Sequence, residues 1–209
     1  MENKLKKSLR IGKAAVKLFN KKGYLETNMD HIAAAAKMSK GGVYHYFSSK
    51  DEILHFILSN YMDLLLNDLE SELSKIGDAS LKIKYIISHH MGLYTENLAE
   101  SKTLLHEAHC LPTKYYKRIS EKEKVYYRIV SNVLSAFLGD RPETCNGTVT
   151  SLTFLLFGMC NWTYSWYHPK GTVSPEALTE LIWTVFLKGI NECRMHNMME
   201  MAGIKVVVT

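Results

Sequence analysis

Residues 27–50, TNMDHIAAAAKMSKGGVYHYFSSK, decide how this chain is read. The stretch holds two short helical patterns joined by a tight turn. The first covers residues 29–37, with Ile32, Ala33 and Ala36 on one face. The second covers about 40–47, with Ser39 where an N-cap belongs, its hydroxyl placed to accept a bond from an amide of the first turn. Two helices so spaced suit a helix-turn-helix, the unit whose second helix enters the DNA major groove. The second helix is unlike a core helix. It is short, carries a Gly-Gly pair at 41–42, and has four rings in succession, Tyr44, His45, Tyr46 and Phe47. Consecutive helical side chains point around the axis, so these four cannot all be buried; some face solvent or a ligand.

Outward from this stretch, charge is unevenly distributed. Residues 1–50 hold eleven Lys and Arg against three Asp and Glu, a net of +8, whereas residues 51–209 hold fifteen against eighteen, a net of −3. A basic head on a mildly acidic body suggests an electrostatic footprint for a polyanion, although charge alone also describes a solvated face. Apolar content is 46%, enough for a sizeable core. No run approaches the roughly 18–20 apolar residues of a membrane span, and no apolar segment follows the N-terminal lysines as in a secretory signal. The expectation is a cytoplasmic protein with no membrane partner. Cys110, Cys145, Cys160 and Cys193 are widely spaced without a CxxC, so they are expected to be reduced thiols of the interior or its edge.

Helical periodicity accounts for the rest of the chain, giving an all-α fold of about nine helices. Residues 5–22 form an amphipathic helix with Leu9, Ala15, Val16 and Phe19 near one stripe and Lys6, Lys13, Lys17 and Lys21 largely outside it. Gly23 follows as a C′ glycine. With the next two helices this makes a small head whose shared core is Phe19, Ile32, Ala36, Val43 and Phe47. Ser49 and the acidic pair Asp51-Glu52 open a long helix expected over 50–75, broken by Gly77. Further helices are expected over 79–98, 101–109 and 113–138, the last ended by Gly139. Residues 143–167 are strongly apolar and are expected to be buried on several sides. Ser174-Pro175 opens the last helix, 175–200, with Leu178, Leu181, Ile182, Val185, Phe186 and Ile190 inward. The tail IKVVVT is β-prone but solitary.

Residues 10–54 resemble the DNA-binding region of the TetR family of bacterial transcriptional repressors. The resemblance lies in Ala14 with Leu18-Phe19, in Lys22-Gly23-Tyr24 with Thr27, in Asp30 with Ile32-Ala33, and in the run from Ser39 to Phe47 with Lys50. The chain departs from the family at Ala35-Ala36-Lys37-Met38, where the family usually has a glycine before the turn. The resemblance implies a DNA-binding domain over 1–50 and a ligand-binding and dimerisation domain over 51–209. It places Asn28, Met29, Lys40, Gly41, Gly42, Tyr44, His45, Tyr46 and Lys50 near DNA. Chemistry supports these roles. Lys40 and Lys50 suit phosphates, the glycines permit close backbone approach, and the rings offer hydroxyls or ring nitrogens to phosphates and faces to thymine methyls. The family also implies a homodimer on a palindromic operator, with the last two long helices as the dimer surface.

The segment from Leu156 to Gly171, followed by Ser174-Pro175, is similar to a subgroup of these repressors that answers to fatty acyl-CoA or other acyl-CoA thioesters. On the helix expected over 143–167, Trp162 and Trp166 fall at i,i+4 on one face, with Lys170 a turn beyond. Two rings and a cation suit a flat group beside a phosphate, and Asn161 adds amide donors and acceptors. Ile87, Met91, Tyr94, Leu105, His109, Tyr126 and Phe154 are candidates to line an apolar tunnel for an acyl chain. Plain core packing, or a dimer contact for the tryptophans, would produce the same pattern. Other effectors stay open, among them hydrophobic drugs or metabolites of an efflux or stress system. His106-Glu107-Ala108-His109 has only a weak metal-ligand spacing, with no third ligand in sequence. No HExxH, phosphate loop or nucleophile motif is present, so an enzyme is not expected, nor a cofactor or resident metal.

Overall fold

The structure, a computed structural model, describes residues 2–139, 146–168 and 171–195. Its regular elements among these residues are ten α-helices and two short 3-10 turns. The helices are α1 (Glu2–Lys22), α2 (Met29–Ala35), α3 (Lys40–Tyr44), α4 (Lys50–Leu66), α5 (Leu69–Ser74), α6 (Ala79–Glu96), α7 (Leu98–Glu107), α8 (Thr113–Leu138), α9 (Asn146–Asn161) and α10 (Pro175–Met195). The nine expected helices are all present. One of them, expected over 50–75, is broken at Asn67-Asp68, where Asp68 adopts φ +56°. Asp tolerates the left-handed region better than most residues, and it lets the chain turn there without glycine. The tail after residue 195 lies outside the described residues.

By packing, the chain divides into two units. The first comprises Met1–Asn67 and Glu96–Tyr126, the second Asp68–Thr95 and Tyr127–Thr209. In the first unit α1 packs on α2, α4 and α7. Phe19, Ile32, Ala36, Val43 and Phe47 are all buried, as the apolar pattern predicts. Each of the larger ones contributes about 1.5–3 kcal/mol on burial. The α1 stripe differs in one member: Ile11 is fully buried, while Leu9 is 40% exposed. Gly23 ends α1 at φ +87°, its amide bonded to the Phe19 carbonyl at 2.8 Å.

In the second unit, Ile83, Ile86, Ile87 and Met91 of α6 are buried, as are Leu156 and Cys160 of α9 and Leu178, Ile182, Phe186 and Ile190 of α10. Trp183 Nε1 donates to the Ser80 carbonyl at 3.1 Å, and Lys84 pairs with Glu180 at 2.6 Å, so α10 is fastened to the start of α6. Ser174 caps α10, accepting from the Ala177 amide at 3.2 Å, with Pro175 in the first turn. Leu181 and Val185, expected inward, are instead 58% and 53% exposed. Phe154 and Leu155 of α9 are likewise 61% and 60% exposed. Both helices are thus apolar on an outer as well as an inner face. Cys110 is half-buried and Cys160 buried, both as free thiols. No described helix is long and apolar enough to cross a membrane.

Candidate functional site

The turn into α3 is built from local bonds. Asn28 caps α2, its side chain accepting from the His31 amide at 2.9 Å while its own amide donates to His31 Nδ1 at 3.4 Å. After Ala36 the chain passes through Lys37 at φ +53°, a left-handed residue at the turn where the resembling family usually has a glycine. Ser39 then caps α3, accepting from the Gly42 amide at 3.1 Å. The cap leaves little room behind Gly42, where a Cβ would stand 3.0 Å from Ser39 Oγ. A Cβ on Gly41 would meet nothing within 4 Å. Nothing inside the fold therefore demands a glycine at 41.

The four consecutive rings divide as the helical period requires. Val43 and Phe47 are buried at 0% and 4%, and Phe47 packs edge-on against Phe56 at 5.2 Å. Tyr44 and His45 are exposed and Tyr46 is half-buried. The His45 and Tyr46 rings meet edge to face at 5.0 Å. Lys40, Gly41, Tyr44 and His45 therefore form one exposed face of a short helix held from behind by its core. Lys40 lies 2.9 Å from Asp30, and this hydrogen-bonded ion pair raises its pKa. A phosphate at Lys40 must compete with that carboxylate. Asn28 is exposed and Met29 half-buried at the start of α2.

Lys50 has a role that its position in sequence does not suggest. Its ammonium donates to the carbonyls of Tyr24 at 2.7 Å and Leu25 at 3.3 Å, and lies 4.1 Å from the centroid of the Tyr24 ring. Two carbonyls and a ring face thus receive the charge of the expected phosphate clamp, so Lys50 is also an internal brace. Asp51 accepts the Tyr24 hydroxyl, and Glu107 accepts the Tyr24 amide at 3.3 Å. Burial, with the Asp51 carboxylate beside it, pushes the Tyr24 hydroxyl well above the usual phenol range. Asn20 donates to the Ala99 carbonyl and to Thr103 Oγ1, both at 2.9 Å. The end of α1 is thus bonded to α4 and to α7 within the first unit.

The residues expected to hold an effector fall into three groups. Ile87, Met91 and Tyr94 lie buried on one face of α6, together with His90. His90 Nε2 is 3.0 Å from Asn161 Oδ1, and the Tyr94 hydroxyl donates to the Asn161 carbonyl at 2.9 Å. Burial lowers the His90 pKa to about 4, so the ring is neutral. Of this buried polar cluster, Tyr94 and Asn161 were expected at the site and His90 was not. Its signal was register: His90 follows Ile86 and Ile87 at helical spacing, whereas His89 does not share their burial.

A second group lies on the surface. Leu105 is 41% exposed, His109 is exposed beside Cys110, and Phe154 is 61% exposed against Tyr127 at 5.5 Å between centroids. These three were expected to line a tunnel, but α7, the 3-10 turn that follows it and α9 turn them outward. Tyr126 is buried in the first unit. Glu107, between His106 and His109, is engaged with Tyr24. The third group is the tryptophan pair. The α-helix ends at Asn161, and Trp162–Ser165 form a 3-10 turn. In the tighter turn, i and i+4 no longer align. Trp162 packs on Tyr164 and Trp166 on Tyr167, at 6.0 and 6.4 Å. The expected shared ring face is therefore absent, and both rings are more than half exposed. Lys170 lies outside the described residues.

Comparison with known proteins bears on both units. Residues 11–57 match the family profile described as bacterial regulatory proteins, tetR family, and residues 77–190 match that described as tetracyclin repressor-like, C-terminal domain. The Fatty acid metabolism regulator protein of Bacillus subtilis is 28% identical over 137 residues, spanning 65% of this chain and 70% of that protein. A TetR-family transcriptional regulator from Bordetella parapertussis shares 30% identity and superposes with a TM-score of 0.82, covering 88% of this chain and 96% of that one. AibR, solved in complex with isovaleryl coenzyme A and operator DNA, shares 26% identity with a TM-score of 0.74 over 86% of this chain and 97% of that one.

Proposed function

The chain belongs to the TetR family of bacterial regulatory proteins, and from that premise we propose that it is a dimeric repressor released from a palindromic operator by an acyl-CoA thioester. As a member of that family it is a DNA-binding transcriptional regulator. The observation that carries the DNA contact at residue level is the exposed face of α3, Lys40, Gly41, Tyr44 and His45, standing on buried Val43 and Phe47. Gly42 and Tyr46 flank it, and Asn28 and Met29 open α2 beside it. Residues 1–50 form the reading head and residues 51–209 the sensing and dimerising body.

One head reads few base pairs, so two heads are needed on a palindrome. The outer apolar faces of α9 and α10 supply the surface for a second copy. Phe154, Leu155, Leu181 and Val185 are exposed there, and a patch of this kind marks an interaction site.

The acyl-CoA assignment draws on the likeness to AibR and to the Bacillus subtilis regulator. In this chain the buried face of Ile87 and Met91, closed by His90, Tyr94 and Asn161, is apolar with a few oriented polar groups, as ligand sites are. Regulation then needs no chemistry. The ligand must bind the DNA-incompetent state more tightly, and moving the population from 99:1 to 1:99 takes about 5.5 kcal/mol of differential binding. The bonds of Lys50, Asp51 and Glu107 to Tyr24 make any displacement of α4 or α7 felt at the end of α1.

A thermal-shift panel of acyl-CoA thioesters of increasing chain length, with free CoA as control, tests the effector. Stabilisation that exceeds that of CoA and depends on the acyl chain is expected. No shift with any thioester overturns the acyl-CoA reading and favours a different hydrophobic effector.

A further inference from the structure

The head carries a second basic surface that α3 does not use. Lys6, Arg10, Lys13, Lys17 and Lys21 follow one another on α1 at steps of three or four residues, so they form one row along the helix. The row is about 22 Å long at 1.5 Å per residue. Lys37, on the turn into α3, faces it from the other side, and the Arg10 guanidinium donates to the Lys37 carbonyl at 3.3 Å. These six cations rim a groove of about 720 Å³ floored by leucine and alanine side chains, and no carboxylate lines it. Outside the groove, Lys40, Lys75, Lys84 and Lys122 each meet an Asp or Glu. Among the described residues, Lys13, Lys17, Lys21 and Lys37 have no such ion pair. Lys37 also stands at a left-handed position where glycine is conformationally cheaper.

We propose that this groove is a phosphate track that holds the backbone of DNA flanking the base pairs read by α3. The inference rests on the DNA-binding reading above and extends it to a sequence-independent contact. A small anion would engage two or three of the cations. A row with steps of roughly 4.5–6 Å instead suits a polymer carrying a charge at every unit. Lysine is also the appropriate residue, since a point charge on a flexible stem contacts phosphates without reading bases. One end of the groove lies at Lys37, two residues before the cap of α3, so a duplex seated on α3 enters the track at that end.

The test uses the full chain and DNA that the wild-type protein selects from a randomised pool. That sequence is prepared trimmed to the protected bases and, separately, with long random flanks. The Lys13→Ala/Lys17→Ala/Lys21→Ala variant changes only exposed side chains, and circular dichroism checks its fold. It is expected to bind the flanked duplex on the order of tenfold more weakly, with the slope of log K against log salt reduced by roughly 0.9 for each phosphate no longer neutralised. Its affinity for the trimmed duplex is expected to match wild type. A Lys102→Ala/Lys117→Ala/Lys124→Ala variant removes the same net charge and is expected to leave both affinities unchanged. Wild-type affinity of the α1 variant for both duplexes overturns the track, as does an equal loss on both, or an equal loss in the charge control. Unchanged DNA binding with lost binding to phosphatidylglycerol vesicles reassigns the groove to a membrane surface and also overturns it. Failure of the wild-type protein to select any sequence overturns the DNA reading itself, and the track with it.

Discussion

Gly41→Ala separates the demands of the fold from those of DNA. The substitution adds one methyl group in the first turn of α3. That methyl meets nothing within 4 Å, so it introduces no clash. Alanine also favours helix over glycine by up to about 1 kcal/mol. The folded protein should therefore be unchanged or slightly more stable. Against DNA the sign reverses, because the methyl stands on the face with Lys40, Tyr44 and His45 and keeps the backbone away from the duplex. Losing even one good base-edge interaction per head costs about 1–3 kcal/mol, and a dimer presents the fault twice. Two such losses total about 2–6 kcal/mol and each 1.4 kcal/mol is tenfold, so operator affinity should fall by roughly thirtyfold to on the order of ten-thousandfold. Urea unfolding measures the first effect and fluorescence anisotropy with labelled operator the second. Wild-type operator affinity in a folded Gly41→Ala protein would refute the placement of this face on DNA. Marked destabilisation would refute the open surroundings of Gly41. Gly42→Ala is the internal contrast, because its Cβ would press on Ser39 Oγ at 3.0 Å and disturb a cap worth about 1 kcal/mol.

Other perturbations probe other parts of the molecule. His90 is held neutral, with its pKa lowered from 6.5 to about 4, so the unfolded chain binds a proton that the folded chain refuses. Its contribution is complete above pH 6.5 and is lost as pH falls toward 4, at up to about 1.4 kcal/mol per pH unit, and His90→Gln should flatten that slope in urea titrations. Lys37→Gly relieves a left-handed lysine and should raise stability by about 1 kcal/mol, or about 2–4 °C in Tm by calorimetry. Lys50→Met removes two hydrogen bonds from a charged donor and should cost about 2 kcal/mol in urea unfolding, a loss that a solvated phosphate clamp would not show. Leu155→Glu/Leu181→Glu should give a monomer by light scattering and weaken operator binding by on the order of a hundredfold, since one head reads half a palindrome.

Much of the head was legible because local chemistry and burial agree there. The helical period alone separates Val43 and Phe47 from Tyr44 and His45, and Ser39, Ser174 and Gly23 occupy the caps and the terminus that their side chains predict. Elsewhere periodicity concealed what the backbone does. Met62, Leu65, Leu69 and Leu73 keep helical spacing straight across the break at Asn67-Asp68, so the pattern gives no sign of it. Trp162 and Trp166 align only if the α-helix continues, and the change to a 3-10 turn after Asn161 removes the alignment. Lys50 is basic at a helix start, which suits a phosphate and a pair of carbonyls equally; only the position of Tyr24 brings out the bracing role. Leu181 and Val185 are apolar, but which of two helix faces meets the core depends on the neighbours of α10 and not on its own sequence.

The central claim joins a DNA-reading head to an acyl-CoA sensor, and one titration addresses both. Labelled operator is held by the wild-type protein while isovaleryl-CoA, longer acyl-CoA thioesters and free CoA are added in parallel. The account predicts that at least one thioester releases the DNA at concentrations where free CoA does not. Operator that stays bound through the whole thioester series would contradict it.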